Sequence, residues 1–574
     1  MISRMFGGPW NFMVFSLMLI FMGLFYQVAW QYPVIDSFPL IERLLDPNYL
    51  SQDFYTNTFS EFSPRLMVSK AIASISTVTG IDYQIIIAYS NIVRIWLYGF
   101  GLYLLFLSLT DHITALTAFT LSALSFLSMP MLPAWWPVTY DLTSSNIALV
   151  AAMYAWVYSI KGQVKIAFIF LSLTVFIHPV VGIHAFLISI LLFITLYRWQ
   201  GFIDLFKQLS VYPFAALYAA AFLFNYLSYQ QVLPDQDFVA INGHFRHGHH
   251  FLFSHMEIEK WLSTLLMTGL AITACLVLKK PSSKTVTSIS LVVITYSIIL
   301  ILLSYIFADL YPTRTMTSLI PMRAFPIIVP IIVLTIARLA VWYWQQGRII
   351  NYLLLFLPFL PYNQVGLSWF LLPNQHEAVL AIIITLIVLV ALIIDQYSHY
   401  NFSHLNTLLL NSLPNIQYST CLLPIALCAV ILALVKFEIE IPTLKNSKEI
   451  YQWLTVNTKA DEVVVSELNA ANNQKIRLIA RRAVAVSKDF PFNEKFYQQW
   501  YQRYSEVYIH KDKARGRIDA LSADELNLLL DKYRTKILIR TKKLNSNQHF
   551  SYIGEVQGEE STAYIYRNKL MVSL

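Results

Sequence analysis

Five of the 13 histidines fall between His244 and His255, most of them in the run Gly243-His244-Phe245-Arg246-His247-Gly248-His249-His250. Histidines this dense suggest metal ligation. The spacing, however, fits neither HExxH nor a facial triad, and no carboxylate is interleaved until Glu257. A loop that contacts a phosphate or a sugar through His244, Arg246 and His249 fits the pattern better; the bland alternative is a solvated loop with no ligand. Arg94 lies about ten residues into an apolar run, where a charge is costly and is either paired structurally or used to hold an anion. Arg314 and Arg323 flank the stretch YPTRTMTSLIPMR just before another apolar run, placed to meet a lipid headgroup or to anchor at the interface. His178-Pro179 interrupts a further apolar stretch and is followed by His184; a histidine there hydrogen-bonds between helices or contacts a ligand. Two acids, Asp36 and Asp53, follow the first apolar run. Read alone, they are helix caps or solvated charges.

The elements that must position these residues are membrane spans. Of 574 residues, 57% are hydrophobic and 13% charged, with a mean hydropathy of +0.54; a soluble chain has about 25% charged. Apolar runs fall near 11–30, 84–108, 113–131, 144–160, 164–179, 181–197, 210–228, 259–278, 285–307, 325–344, 350–370, 377–394 and 416–435. This predicts a polytopic α-helical membrane protein of about thirteen spans. The pair 164–197 is split only at His178-Pro179 and reads equally as two short spans or a broken, re-entrant element. Phe12 to Trp30 is too long and wrongly flanked for a cleaved signal and reads as an anchor that stays. Cys275, Cys421 and Cys428 all lie in apolar runs, which supports neither a disulfide framework nor a zinc site.

Charge fixes the expected orientation. A cytoplasmic N-terminus puts Arg4, Lys161, Lys165, Arg198, Lys207, Lys279, Lys280, Lys284 and Arg348 inside, as the positive-inside rule requires. The long polar segments Gln31–Tyr83, Pro133–Thr143, Tyr229–Lys260 and Asp309–Arg323 then fall outside, together with the C-terminal region. This accounts for the net charge of +8 without a nucleic-acid partner. Trp135-Trp136-Pro137 with Tyr140-Asp141 suits sugar stacking or an interfacial aromatic belt. No internal repeat of the kind found in inverted-repeat transporters is visible.

Residues 437–574 carry 22 of the 41 Lys and Arg and 17 of the 33 acids. This composition break separates a membrane domain, 1–436, from a soluble domain. The soluble domain reads as small α/β: helices at Asn446–Asn457, Asn493–Tyr504 and Ser522–Tyr533, and strands at Glu462–Ser466, Ala483–Ser487, Thr535–Arg540, Phe550–Glu555 and Thr562–Arg567. Trp453, Phe490, Phe492 and Trp500 are expected in its core, and Arg481-Arg482 before Asp489 is a candidate to face the membrane domain.

About fifty residues, 31–83, separate the first two spans, far more than a connector needs. Ser37 can cap a helix with Pro39 in its first turn, placing Leu40, Ile41, Leu44 and Leu45 on one face and Glu42 and Arg43 opposite. Asp46-Pro47-Asn48 ends it, and a second helix runs from Ser63-Pro64 to Gly80. Both are expected to lie in the membrane surface. This arrangement resembles the GT-C superfamily of polyprenyl-phosphate-dependent sugar transferases, whose first outer loop bears such helices and one or two acids soon after the first span. The matching acids are Asp36, six residues past Trp30, and Asp53 in Gln52-Asp53-Phe54-Tyr55. The chain is also similar to an uncharacterised bacterial family of polytopic membrane proteins with this N-terminal pattern and a soluble C-terminal domain.

The resemblance implies a bacterial inner-membrane glycosyltransferase with an extracytoplasmic C-terminal domain. It would use a lipid-linked sugar donor to modify a glycan, lipid or protein acceptor. Asp36, or else Asp53, would be the general base; Arg94, Arg246, Arg314 and Arg323, with His178, His244 and His249, would bind substrate. No Asp-Asp, Asp-Glu or DxD pair occurs in the loop, so a divalent metal has no motif to hold it. A flippase or transporter, a polymerase for lipid-linked glycans and a non-enzymatic envelope assembly protein are the alternatives.

Overall fold

The computed structural model describes residues 38–60, 63, 66–128, 142–229, 231–246, 252, 254, 258–278, 284–359, 377–397, 449–467, 475–487, 489–508, 518, 521–544, 549–557 and 562–569. The apolar runs at 11–30 and 416–435 lie outside these residues, as do Asp36, Ser37, His249 and Trp135-Trp136.

Two short helices open the described chain. α1 (Phe38–Leu45) is followed by a turn and a one-turn helix, Phe54–Asn57; α2 (Met67–Thr79) stops at Gly80, whose φ of 69° closes the last turn. A left-handed C-terminal residue is the conformation glycine adopts at least cost. The single membrane-surface face expected for α1 is divided. Phe38, Leu40 and Ile41 are buried against protein, whereas Leu44 and Leu45 are exposed.

The bundle follows as α3 (Tyr83–Leu109), α4 (His112–Ser128), α5 (Ser144–Ile160), α6 (Val164–Ile177), α7 (Pro179–Phe206), α8 (Tyr212–Ser228), α9 (Ile258–Val277), α10 (Lys284–Ser304), α11 (Phe325–Gln345) and α12 (Glu377–Tyr397). Among the described residues, six stretches are long and apolar enough to cross a bilayer: Tyr83–Leu109, Pro179–Leu205, Leu209–Ser228, Ile258–Val277, Lys284–Leu310 and Ile328–Gln345. This is a helical membrane protein. Leu217, Leu223 and Leu227 of α8 are exposed, as expected of a helix bathed in hydrocarbon. Contacts sort the helix ends into two sets. At one end Arg338 reaches Asp111 at 2.8 Å and Tyr197 donates to the Ile160 carbonyl. At the other, Tyr83 donates to Glu42 and Leu142 packs on Phe38 and Ile41.

The split at His178-Pro179 separates two helices, and His178 between them is extended (φ −151°, ψ 101°). Pro179 has no N–H, so the Val175 carbonyl loses its helical partner; Asn225 of α8 donates its side-chain amide to that carbonyl at 2.9 Å. Gly182 lets α7 pass over α6, since a Cβ there would sit 2.4 Å from Val175 Cα.

After the bundle, α13 (Glu449–Asn457), α14 (Tyr497–Tyr508) and α15 (Ala523–Lys532) surround a five-stranded sheet. Its strands are β1 (Val463–Ser466), β2 (Ala483–Val484), β3 (Ile537–Arg540), β4 (Phe550–Gln557) and β5 (Thr562–Asn568), in the order β2-β1-β3-β5-β4. β2, β1 and β3 are parallel, and β5 and β4 add on antiparallel. Alternate strand residues face opposite sides. Val464, Ile537 and Ile539 pack on α13. Val463, Val465 and Leu538 pack with Trp500 of α14 and Leu526 and Leu530 of α15, in one cluster with Phe54, Phe238, Val239 and Ile241 of the membrane domain. Side chains from the bundle's loops thus complete one side of the terminal domain's core.

Candidate functional site

Three of the polar segments meet the terminal domain at one end of the bundle, through residues in 42–59, 229–246 and Arg314, and two buried carboxylates organise the meeting. Asp53 is fully buried and caps the helix Phe54–Asn57. Its Oδ2 accepts from the Thr56 backbone N–H at 2.8 Å and the Thr56 hydroxyl at 2.9 Å. Its Oδ1 accepts from Arg477 Nε and from the Val484 N–H, both at 2.9 Å and both in the terminal domain. Arg477 also pairs with Asp489 through Nη1 and lies 5.1 Å from the Tyr55 ring centroid. Burial alone would favour loss of its proton, but the flanking Asp53 and Asp489 outweigh that and raise its pKa above the ordinary value.

The second carboxylate, Glu494, reaches the other way, from the terminal domain into the bundle's loops. It is 1% exposed. Its Oε1 accepts from the Val232 and Leu233 N–H groups at 3.0 and 2.7 Å, and its Oε2 from Tyr229 Oη at 2.8 Å and from Arg314. Arg314 donates further to the Leu233 carbonyl and to Asp235, and it stacks 4.4 Å over Phe238. Burial disfavours its charge too; Glu494, with Asp235 assisting, raises its pKa nonetheless.

Around these pairs lie aromatic contacts. Phe59 stacks on Phe492 at 6.1 Å, and Phe245 meets Tyr501 and Tyr504 edge-on at 4.9 and 5.6 Å. Arg481 pairs with Glu42 of α1 at 3.1 Å and so faces the membrane domain, whereas Arg482 turns inward to Thr455 and Thr458.

The residues singled out from sequence have distinct placements. Asp53 and Arg314 both lie in the seam with the terminal domain, bonded to Arg477 and Glu494 respectively. A general base needs a lone pair facing its acceptor, and in this arrangement all four acceptor positions of Asp53 are filled; Arg314 likewise spends its charge on Glu494 and Asp235. Arg94 is buried in α3, with Nε donating to Asn91 at 2.7 Å. His178 caps α7, accepting from the Val181 N–H. His244 and Arg246 sit half-buried in a π-helical turn, Val239–Arg246, with Arg246 5.8 Å from the Phe490 ring centroid. Arg323 is half-buried in the turn Pro321–Ala324 ahead of α11. No cluster of three metal-ligating side chains occurs among the described residues.

Glu494 and Arg477 escaped the sequence reading, and Asp489 entered it only as a marker after Arg481-Arg482. For Glu494 the available signal was the aromatic-rich run Phe490–Tyr508, in which isolated charges stand among rings as they do in a buried interface. A domain family of unknown function, DUF6798, matches residues 445–507, the portion that holds all three. No curated protein matches the chain.

Proposed function

We propose that this protein is a GT-C-like integral membrane glycosyltransferase with about thirteen spans, cytoplasmic at its N-terminus and extracytoplasmic at its terminal domain, in a bacterial inner membrane. The reading rests on one observation: three separate loops of the bundle, 38–60, 229–246 and 313–323, gather with the terminal domain at a single end of the helices. A transferase acting on a lipid-borne sugar needs a covered cavity at that level, with cations contributed by distant stretches.

Asp36, two residues ahead of α1, is the base in this reading, because the lone pairs of Asp53 are committed to docking. It removes the proton from an acceptor hydroxyl, and the freed oxygen attacks the anomeric carbon. The bond from that carbon to the phosphate oxygen breaks, and the polyprenyl phosphate leaves with the electron pair. Arg94, Arg246 and Arg323, with His178, His244 and His249, are left to neutralise the leaving phosphate or bind the sugar.

The test is turnover of polyprenyl-phosphate sugars by the purified protein in detergent. Asp36→Asn should abolish transfer, with a loss of about 10²-fold or more, while donor binding persists. Asp53→Asn should instead lower thermal stability, and lose activity only in proportion to unfolding. Full turnover by Asp36→Asn rejects the base. One observation favours a second reading, a non-enzymatic envelope assembly protein: Asp53 and Arg314 are both consumed by docking. Donor binding without turnover by the wild-type protein, across the donor panel, selects it.

A further inference from the structure

Beside the Asp53 pair, the seam between the first loop and the terminal domain opens into a cleft of about 370 Å³. Three of its lining side chains are cationic, Arg503, Lys532 and Arg534, and none is acidic. The neutral part of the wall includes Gln52, Asn57 and Gln499.

Arg503 is the most constrained of the cations. Its guanidinium lies between the Phe54 ring of the first loop and the Tyr533 ring, 4.5 and 4.7 Å from their centroids. Nη1 donates to the Ala485 carbonyl at 3.2 Å, while Nε is shielded from solvent and has no hydrogen-bond partner among the described residues. The acids nearest to it are already committed. Asp53 is held by Arg477; Glu506 is held by Lys532 at 2.6 Å and by the Tyr533 hydroxyl. Two rings disperse charge but do not neutralise it. Burial accordingly pushes the Arg503 pKa below its ordinary value, with Tyr533, Asp53 and Glu506 only partly opposing. Arg534 is exposed and forms no ion pair among the described residues.

A preoriented guanidinium in the wall, a second arginine with no ion pair among the described residues and a set of amide side chains, with no acid among them, are the components of an oxyanion site with sugar-binding flanks. The cleft volume is that of a small-molecule pocket, large enough for about one sugar unit with its charged group. We propose that this cleft binds an anionic sugar, one bearing a phosphate or a carboxylate, with Arg503 and Arg534 on the oxyanion and Gln52, Asn57 or Gln499 on hydroxyls. The site is separate from the transfer chemistry proposed above and stands whether or not Asp36 is a base. Because one wall belongs to the first loop and the other to the terminal domain, the ligand would also bridge the seam.

The test is calorimetric titration of the full-length protein in neutral detergent with glucose 1-phosphate, glucuronate, glucose and inorganic phosphate. Saturable binding of glucose 1-phosphate or glucuronate is expected, at least about tenfold tighter than that of glucose or phosphate. Arg534→Gln and Gln499→Ala, at positions away from the buried pairs, should each weaken it several-fold with the melting temperature unchanged. Arg503→Gln should remove it. Arg503 also packs on Phe54, so the first two variants keep the assignment falsifiable if the third loosens the seam. Equal affinity for phosphate and glucose 1-phosphate overturns the sugar component. Displacement by phosphatidylglycerol doped into the micelles at equal potency assigns the cations to a lipid headgroup and overturns it as well. No saturable binding of any anion by the folded protein overturns the site.

Discussion

A carboxylate that accepts four hydrogen bonds has little capacity for another partner, and Asp53 and Glu494 are both in that state. Each takes two backbone N–H groups, one hydroxyl and one arginine. The desolvation penalty of each buried charge is offset only while this full set is in place. Deleting one partner should therefore cost more than a surface ion pair would. Asp53→Ala and Glu494→Ala are each expected to destabilise by about 3–5 kcal/mol, measured by thermal unfolding in detergent. A change within about 0.5 kcal/mol for either, the scale of a surface substitution, would show that the aromatic contacts alone hold the seam. Salt should matter little, because both pairs are shielded from solvent.

At the scale of elements, the α6–α7 hairpin shows how a local defect is repaired at a distance. Pro179 divides the apolar run and strands a carbonyl, and Asn225, 50 residues further on, satisfies it. Asn225→Leu should leave that carbonyl unpaired in an apolar setting and cost about 1–3 kcal/mol; an unchanged melting temperature would mean that the carbonyl finds another donor. The proline was legible in the sequence as the point of division, and so were α1, the stop of α2 at Gly80, α13 to α15 and β1 to β5, whereas the helical turn Ile476–Ala480 that carries Arg477 was not. Each is written in local periodicity, a cap or a turn residue. Asn225 was not legible, nor were Arg477 and Glu494, whose partners lie 424 and 180 residues away. Pairing at that separation leaves no periodic trace, and a polar residue inside an apolar or aromatic run does not name its partner. The same gap hid the contacts of Asp53 and Arg314: residue type suggested a base and a phosphate-binding cation, and only the tertiary structure shows the seam partners each one holds.

At the scale of the whole molecule, membrane domain and terminal domain share a core. Phe54, Phe238, Val239 and Ile241 are buried in the cluster that holds Phe490, Tyr497 and Trp500. An excised 445–574 fragment should therefore expose this apolar face, bind a hydrophobic dye and aggregate, while the full chain does neither; a monomeric, dye-silent fragment would show that the domain closes its own core. The seam itself has a further property. Its acid sits on the loop side at Asp53 and on the domain side at Glu494, so the two contacts run with opposite sense. Interchanging them would bring Asp53 against Glu494 and Arg314 against Arg477, repulsion at both places at once. The joint is polarised like a two-pin plug with unlike pins, and a terminal domain arriving after the bundle is made has only one way to seat.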